Sequence, residues 1–417
     1  MGRAVKTRTG LMVALDVGSS KICCLIGQAH NDGAIRIAGV GHHASDGVKS
    51  AAIVDMAAAQ SAILTAVSAA EEMAGERIRE VILSVAGSNL VSKTFTAKCS
   101  ISGREITEAD IRRVLVQAGG IEEKADREIL HCLPVGYSID ETRGIRDPRG
   151  MFAEELSVDM NLVTSRAASL RNLTTCIERS HLDIEYAVAA PYAAGLSCLV
   201  EDEIDLGVTV IDMGGGTTSL AVFYDGALIF ADSIPVGGCH VTSDIARGLS
   251  TPIAQAERMK TLYGSAIVSP SDERELIDVP IIGEENTAQP NHVPRSLLNG
   301  IIRPRIEETF EIVRARLDQA GVARTAGRRL VLTGGASLLT ETAKLAGLVL
   351  EKKVRLGRPM QISGLTEATS GPAFSVAAGL LRFASERQSE TNGNTEPIPT
   401  GPTTRFSRIS QWVKENF

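Results

Sequence analysis

A basic surplus is missing from this chain. Lys and Arg number 43 against 50 Asp and Glu, a net charge of −7, with a pI near 5.7. Without a basic face to offset phosphate repulsion, general nucleic-acid binding is not expected. Metal-ligand spacings are missing as well. The seven cysteines (Cys23, Cys24, Cys99, Cys132, Cys176, Cys198, Cys239) are scattered through mostly apolar runs, and no CxxC or Cys/His pattern occurs. That excludes a structural zinc site of the usual kind and fits buried small hydrophobes in a reducing compartment. No run of about 18 uncharged apolar residues is present, so no bilayer-spanning helix is expected. The basic start "MGRAVKTRTG" has no apolar region behind it and does not read as a secretory signal. The commonest phosphate signatures are absent too: there is no G-x-x-x-x-G-K-[ST], and no G-x-G-x-x-G opens a helix. Tryptophan occurs once, at Trp412.

What the chain does have is one device twice. "VALDVGSSKICCLIGQ" (13–28) and "VIDMGGGTTSLAVFYDG" (210–226) each run from an apolar strand through an Asp and a Gly-rich turn with hydroxyls into a second apolar strand. Setting Asp16 on Asp212 puts Gly18 on Gly214 and Lys21 on Thr217. Glycines weaken a strand unless something must approach the backbone closely, and tight turns with exposed N–H groups suit a phosphate. An Asp at the strand end can hold Mg²⁺, directly or through water, while hydroxyls and Lys meet phosphate oxygens. A third glycine pair, "LTGGASLL" (332–339), follows a strand and is expected to open a helix, a place for an adenosine end. A helix begun by Pro191 lies between the two hairpins. With 417 residues the chain has room for two or three domains. Ala-rich 55–75 reads as a helix, 81–90 as a strand, and 303–321 as a long amphipathic helix. From Val91 to about Ala168 charge rises and the glycine-punctuated strands thin out, which reads as an inserted subdomain.

The order of DVGSSK (16–21), APYAAG (190–195), DMGGGT (212–217) and TGGAS (333–337) resembles the actin, Hsp70 and hexokinase superfamily of ATP-binding folds. Within it, "GGCHVTSDIARGLSTPIAQAERMK" (237–260), "DERELIDVP" (272–280) and "PRSLLNGIIRPRIEE" (294–308) resemble the FtsA family of bacterial cell-division proteins, over nearly the whole chain. The resemblance implies an α/β, actin-like two-lobed ATPase fold with a duplicated core, a family-specific insert in the first lobe and a C-terminal amphipathic helix. It implies subdomain 1A at 1–88 and 171–203, insert 1C at 89–170, 2A at 204–240 and 310–385, and 2B at 241–309. It implies ATP with Mg²⁺ held by Asp16, Gly18, Ser19, Ser20, Lys21, Asp212, Gly214, Gly215, Gly216, Thr217, Gly238, Gly334, Gly335 and Ala336. Glu257 and Lys260 would lie near ribose and adenine, and Asp16 and Asp212 at the metal. Two departures are visible: Cys239 where a polar residue such as Asn is expected, and Ala51 where Gly is usual.

Residues 386–403 hold no aliphatic or aromatic side chain except Ile398 and read as a linker. Beyond it, "TRFSRISQWVKENF" (404–417) places Phe406, Ile409, Trp412, Val413 and Phe417 on one helical stripe flanked by Arg405, Arg408 and Lys414. About 21 Å long, such a helix is too short to span a bilayer but can lie in its interface on anionic lipid. The resemblance further implies that Arg295, Arg305 and Glu308 grip the C-terminal tail of the tubulin-like protein FtsZ. It also implies that the chain polymerises with itself on the cytoplasmic side of the inner membrane at the septum, and that the insert recruits later division proteins. No catalytic base is identified by the residues, so at most weak ATP hydrolysis is expected. The alternative is a small-molecule kinase of the same superfamily, for which no substrate motif is found and which has no need of a tethered tail.

Overall fold

The computed structural model describes residues 10–29, 34–87, 90–120, 126–283 and 291–392. Each glycine hairpin seeds one sheet. In the first lobe Leu11–Val17 pairs antiparallel with Lys21–Ala29, with Asp16 opposite Cys23. These strands are the centre of a six-stranded sheet in the order Asp183–Ala189, Glu80–Val85, Leu11–Val17, Lys21–Ala29, Ile35–Ala44, Ile362–Ser363. Strands covered on both faces read as unbroken apolar runs, which is why VALDV and KICCLIG show no alternation. Val13, Leu15 and Val17 face the helix Met56–Ala74, while Met12 and Ala14 face the helices Ala190–Cys198 and Ser375–Asn392. The first of these helices begins at Asp55, whose carboxylate accepts from the Ala57 and Ala58 N–H groups. It lies so close to the sheet that a Cβ on Gly41 would stand 1.8 Å from the Ala66 carbonyl oxygen.

In the second lobe Val208–Met213 pairs with Thr218–Tyr224, Asp212 opposite Ser219. This hairpin belongs to a nine-stranded sheet whose order is Lys353–Leu356, Arg329–Thr333, Val208–Met213, Thr218–Tyr224, Ala227–Ile234, Val91–Glu105, Phe152–Arg166, Arg127–Ile139, Thr142–Ile145. The last four strands belong to the insert. They carry the helix Glu108–Gly119 and their own core around Ile101, Val114, Leu156 and Val158. The insert therefore leaves the chain in the first lobe and continues the sheet of the second. The seam is a single backbone pairing, Asp232 with Val91, reinforced where Asn161 Nδ2 donates to the Leu228 carbonyl at 2.9 Å.

Three local expectations are corrected. The long helix begins at Arg295, not 303, and runs to Gln319 with Pro304 inside it. Proline forfeits one helical hydrogen bond there, and the buried row Leu298, Ile302, Ile306, Phe310, Val313 and Leu317 holds the helix on its sheet regardless. The glycine pair at 334–335 opens a four-residue 3-10 turn, and the α-helix starts only at Thr342. The final helix continues to Asn392, so the segment read as linker from 386 is helical in its first part. Arg387, within that part, lies over the Phe383 and Tyr186 rings. The rest of the expected linker and the amphipathic stripe at 404–417 lie outside the described residues. Among the described residues, no helix is long and apolar enough to cross a membrane.

Candidate functional site

The duplication visible in the sequence recurs at atomic scale. The Gly18 N–H donates to the Lys21 carbonyl at 3.1 Å, and the Gly214 N–H to the Thr217 carbonyl at 2.9 Å. Both turns point into the space between the lobes, and they nearly touch. A Cβ on Gly215 would stand 2.7 Å from the Ser20 Cβ, and one on Gly216 2.5 Å from the Ser19 Oγ. No side chain larger than hydrogen fits at those positions. The Gly238 and Cys239 N–H groups donate to the Gly214 and Gly215 carbonyls, which ties the following helix, Gly238–Gly248, to the second turn. Cys239 thus contributes its backbone N–H, a bond any residue but proline can make, and it also lines the cavity between the turns. At Gly334 φ is 86°, and a Cβ would meet the Asp212 Oδ1 at 2.4 Å, so the third loop is pressed against the second carboxylate.

These elements enclose a cavity of about 390 Å³. It is lined by Asp16, Gly18, Ser19, Ser20 and Lys21 from the first lobe, and by Asp212, Gly214, Gly215, Gly216 and Thr217 from the second. Gly238, Glu257, Lys260, Gly334, Gly335 and Ala336 complete the wall. Lys260 Nζ donates to the Gly238 carbonyl, the Thr242 Oγ1 and Glu257 Oε2, the last at 2.7 Å. This cross-brace joins the helices Gly238–Gly248 and Ile253–Tyr263 at the rim.

The floor of the cavity is charged and poorly solvated. Burial pushes the Asp16 carboxyl up, against a hydrogen bond from Ser84 Oγ at 2.6 Å and the Lys21 charge, which pull it down. Asp212 is pushed up to about 7, first by burial and then by the Asp16 charge. Two carboxylates facing one cationic side chain form a site a divalent cation would relieve. The described residues hold no cluster of three or more potential metal ligands, so such an ion would take its remaining ligands from phosphate and water oxygens.

Ser84, Thr242, Pro372, Ala373 and Phe374 were not anticipated. Pro372 and Ala373 line the cavity, and Lys21 Nζ sits 3.2 Å from the centre of the Phe374 ring. A lone Ser in a strand or a Phe after a proline carries no sequence signal; only proximity makes them part of a site. Ala51, the other departure noted in the sequence, lies at the cavity wall with φ 58° and donates its N–H to Ser19 Oγ at 2.9 Å.

Away from the cavity, the residues expected to meet a partner are already engaged. Arg305 Nε donates to Asp244 Oδ2 at 2.5 Å and its Nη1 to Glu308. Arg295 donates to the Tyr263 carbonyl and to Glu275 Oε2, both at 2.7 Å. Ten residues along one helix separate the two arginines by about 15 Å.

Two lobes with matching Asp–Gly hairpins facing a shared cleft define an actin-like protein. Solved structures agree on that class. The chain superposes on a structure described as the PilM-PilN type IV pilus biogenesis complex with a TM-score of 0.62 at 16% identity, covering 93% of this chain and 99% of that one. For MreB5 of Spiroplasma citri bound to ADP the TM-score is 0.55 at 13% identity, covering 93% and 100%. The family follows from sequence. The family model for cell division protein FtsA matches residues 209–379, and that for the SHS2 domain inserted in FtsA matches 87–164. Cell division protein FtsA of Rhizobium meliloti (strain 1021) is 45% identical, covering 98% of this chain and 96% of its own. That of Escherichia coli (strain K12) is 32% identical, covering 98% of both. The chain belongs to the FtsA family of cell-division proteins.

Proposed function

We propose that this actin-like cell-division protein binds ATP with Mg²⁺ in the cleft, polymerises on the cytoplasmic face of the inner membrane at the septum, and tethers FtsZ filaments there. The observation that carries this reading is the meeting of glycine turns from both lobes, and of the Gly334 loop, around one cavity with two carboxylates and a lysine. Lys21 and the turn N–H groups of both hairpins would hold the phosphates, and Asp16 and Asp212 the Mg²⁺, directly or through water. Glu257 and Lys260 would meet the ribose and adenine. A ligand gripped by both lobes favours the closed cleft by its differential affinity for that state, and a closed subunit presents one fixed surface to the next. Insert 89–170, with its own core, is suited to recruit later division proteins.

The amphipathic stripe at 404–417 supports the membrane half of the reading. One such helix binds reversibly, so firm attachment needs several copies acting together in a polymer. The test is electron microscopy and sedimentation of the full chain with ATP and vesicles containing anionic lipid. Wild type is expected to coat the vesicles with filaments, and Trp412→Glu to stay in solution, because a charge at the stripe's centre removes apolar area from the face that binding buries. Equal vesicle binding by both proteins would refute the role of the stripe, and no binding by wild type would refute the membrane role. A small-molecule kinase would need a substrate pocket in the first lobe and a base near the second phosphate turn, and no sequence motif marks either.

A further inference from the structure

A lysine beside two carboxylates ordinarily forms ion pairs with them. Lys21 does not. Its Nζ is shut off from solvent, has no hydrogen-bond partner among the described residues, and rests 3.2 Å from the centre of the Phe374 ring. The ring face attracts the ammonium without using any of its three N–H donors. Phe374 is itself fixed. It is buried, stands edge-on to the His42 ring at 6.0 Å, and is followed by Ser375, whose hydroxyl shares a 2.7 Å hydrogen bond with Thr333 Oγ1 in the second lobe.

We propose that Phe374 is the positioning residue of the phosphate site: its ring parks the Lys21 ammonium between the lobes, still charged and with its donors unspent, ready for a nucleotide polyphosphate. The inference rests on the reading of the cleft as an ATP site. Burial pushes Lys21 down from its ordinary value, toward its neutral form, and the Cys23, Asp16 and Asp212 groups offset only part of that shift. A cation held by an aromatic face avoids both outcomes, neutralisation and collapse onto a carboxylate. Without the ring, Lys21 falls onto Asp16 or Asp212, and a phosphate must then break an ion pair before it can bind.

The test is calorimetric titration of the full-length chain with MgATP in a fluorination series, Phe374→4-fluorophenylalanine to Phe374→3,4,5-trifluorophenylalanine, beside Phe374→Leu and Phe374→Tyr. Fluorine drains the ring's negative face while nearly keeping its shape, so the series remains readable even if Phe374→Leu fails to fold. ATP affinity is expected to fall stepwise with each fluorine, to fall at least tenfold in Phe374→Leu, and to be retained in Phe374→Tyr. A merely structural role predicts no dependence on fluorination. Affinity that is flat across the series, or that rises, overturns the inference while leaving the ATP site standing. A wild-type chain that does not bind MgATP overturns both.

Discussion

Ala51 sits at φ 58°, in the left-handed region that disfavours any residue with a Cβ by roughly 1–2 kcal/mol. Glycine removes that strain at the cost of some unfolded-chain entropy, so Ala51→Gly should stabilise the protein by up to about 1 kcal/mol in urea unfolding. A loss of stability would show the local strain to be offset elsewhere. His131 offers a second residue-scale test. The Ala189 N–H donates to its Nε2 at 2.9 Å, so the ring is neutral with its proton on Nδ1, between Tyr192 and Phe383. Burial, and then the Arg387 charge, push it down to about 3. Because the folded value lies below the unfolded value of about 6.5, the neutral ring's contribution is complete above pH 6.5. It is lost as pH falls from there toward 3. From pH 7.5 to 5.5 this group should cost about 1 kcal/mol of stability. His131→Gln should lose that much less over the same interval, and identical pH dependence would assign the acid sensitivity to other groups.

Among the elements, the helix Arg295–Gln319 carries the partner expectation. Arg305 binds Asp244 on one side and Glu308 on its own helix. A carboxylate from an acidic, partly apolar FtsZ tail would have to share a guanidinium already forked between two acids, so the contact should be weak and salt-sensitive. Arg305→Glu should weaken a labelled FtsZ tail peptide at least tenfold by fluorescence anisotropy while leaving MgATP binding unchanged. Equal peptide affinity would move the contact elsewhere on the molecule. The same helix shows how far local pattern reaches. Its apolar spacing was legible from Arg303 onward, but Pro304 hid the two turns before it, because packing of Leu298 and Ile302 in the second core outweighs one lost hydrogen bond. The insert was legible only as a change of composition. Of its long strands Val91–Glu105 alternates exposed with buried or half-buried residues, whereas Arg127–Ile139 and Phe152–Arg166 do not, and their pairing partners lie far along the chain.

For the whole molecule, a ligand held by both lobes must stabilise the native state. MgATP at a hundred times its dissociation constant should raise the unfolding free energy by about 2.7 kcal/mol. Gly215→Asp should abolish that gain, since its Cβ would collide with Ser20 and its carboxylate would face phosphate. A melting temperature unmoved by MgATP in wild type would refute the nucleotide site, and one still raised in Gly215→Asp would relocate it. The insert joins the same mechanics. It belongs by covalent chain to the first lobe but is paired to the sheet of the second, and Arg146 bonds Asp225 across the exposed side of that junction at 2.6 Å.

The sequence by itself determined the two hairpins, the third glycine loop and the carboxylates at their strand ends. Those features are local: a tight turn against a phosphate restricts residue type within a few positions, and the restriction is written in adjacent letters. Repetition of the pattern made it legible. Only the tertiary structure decided that Ser84 bonds Asp16, that Phe374 underlies Lys21, and that the insert extends the second lobe's sheet. Each joins residues far apart in the chain through packing that any of several side chains could satisfy, so no local spacing records the pairing. Burial, set by the whole fold, likewise moved Asp212 to about 7; an Asp in a row of letters carries no dielectric.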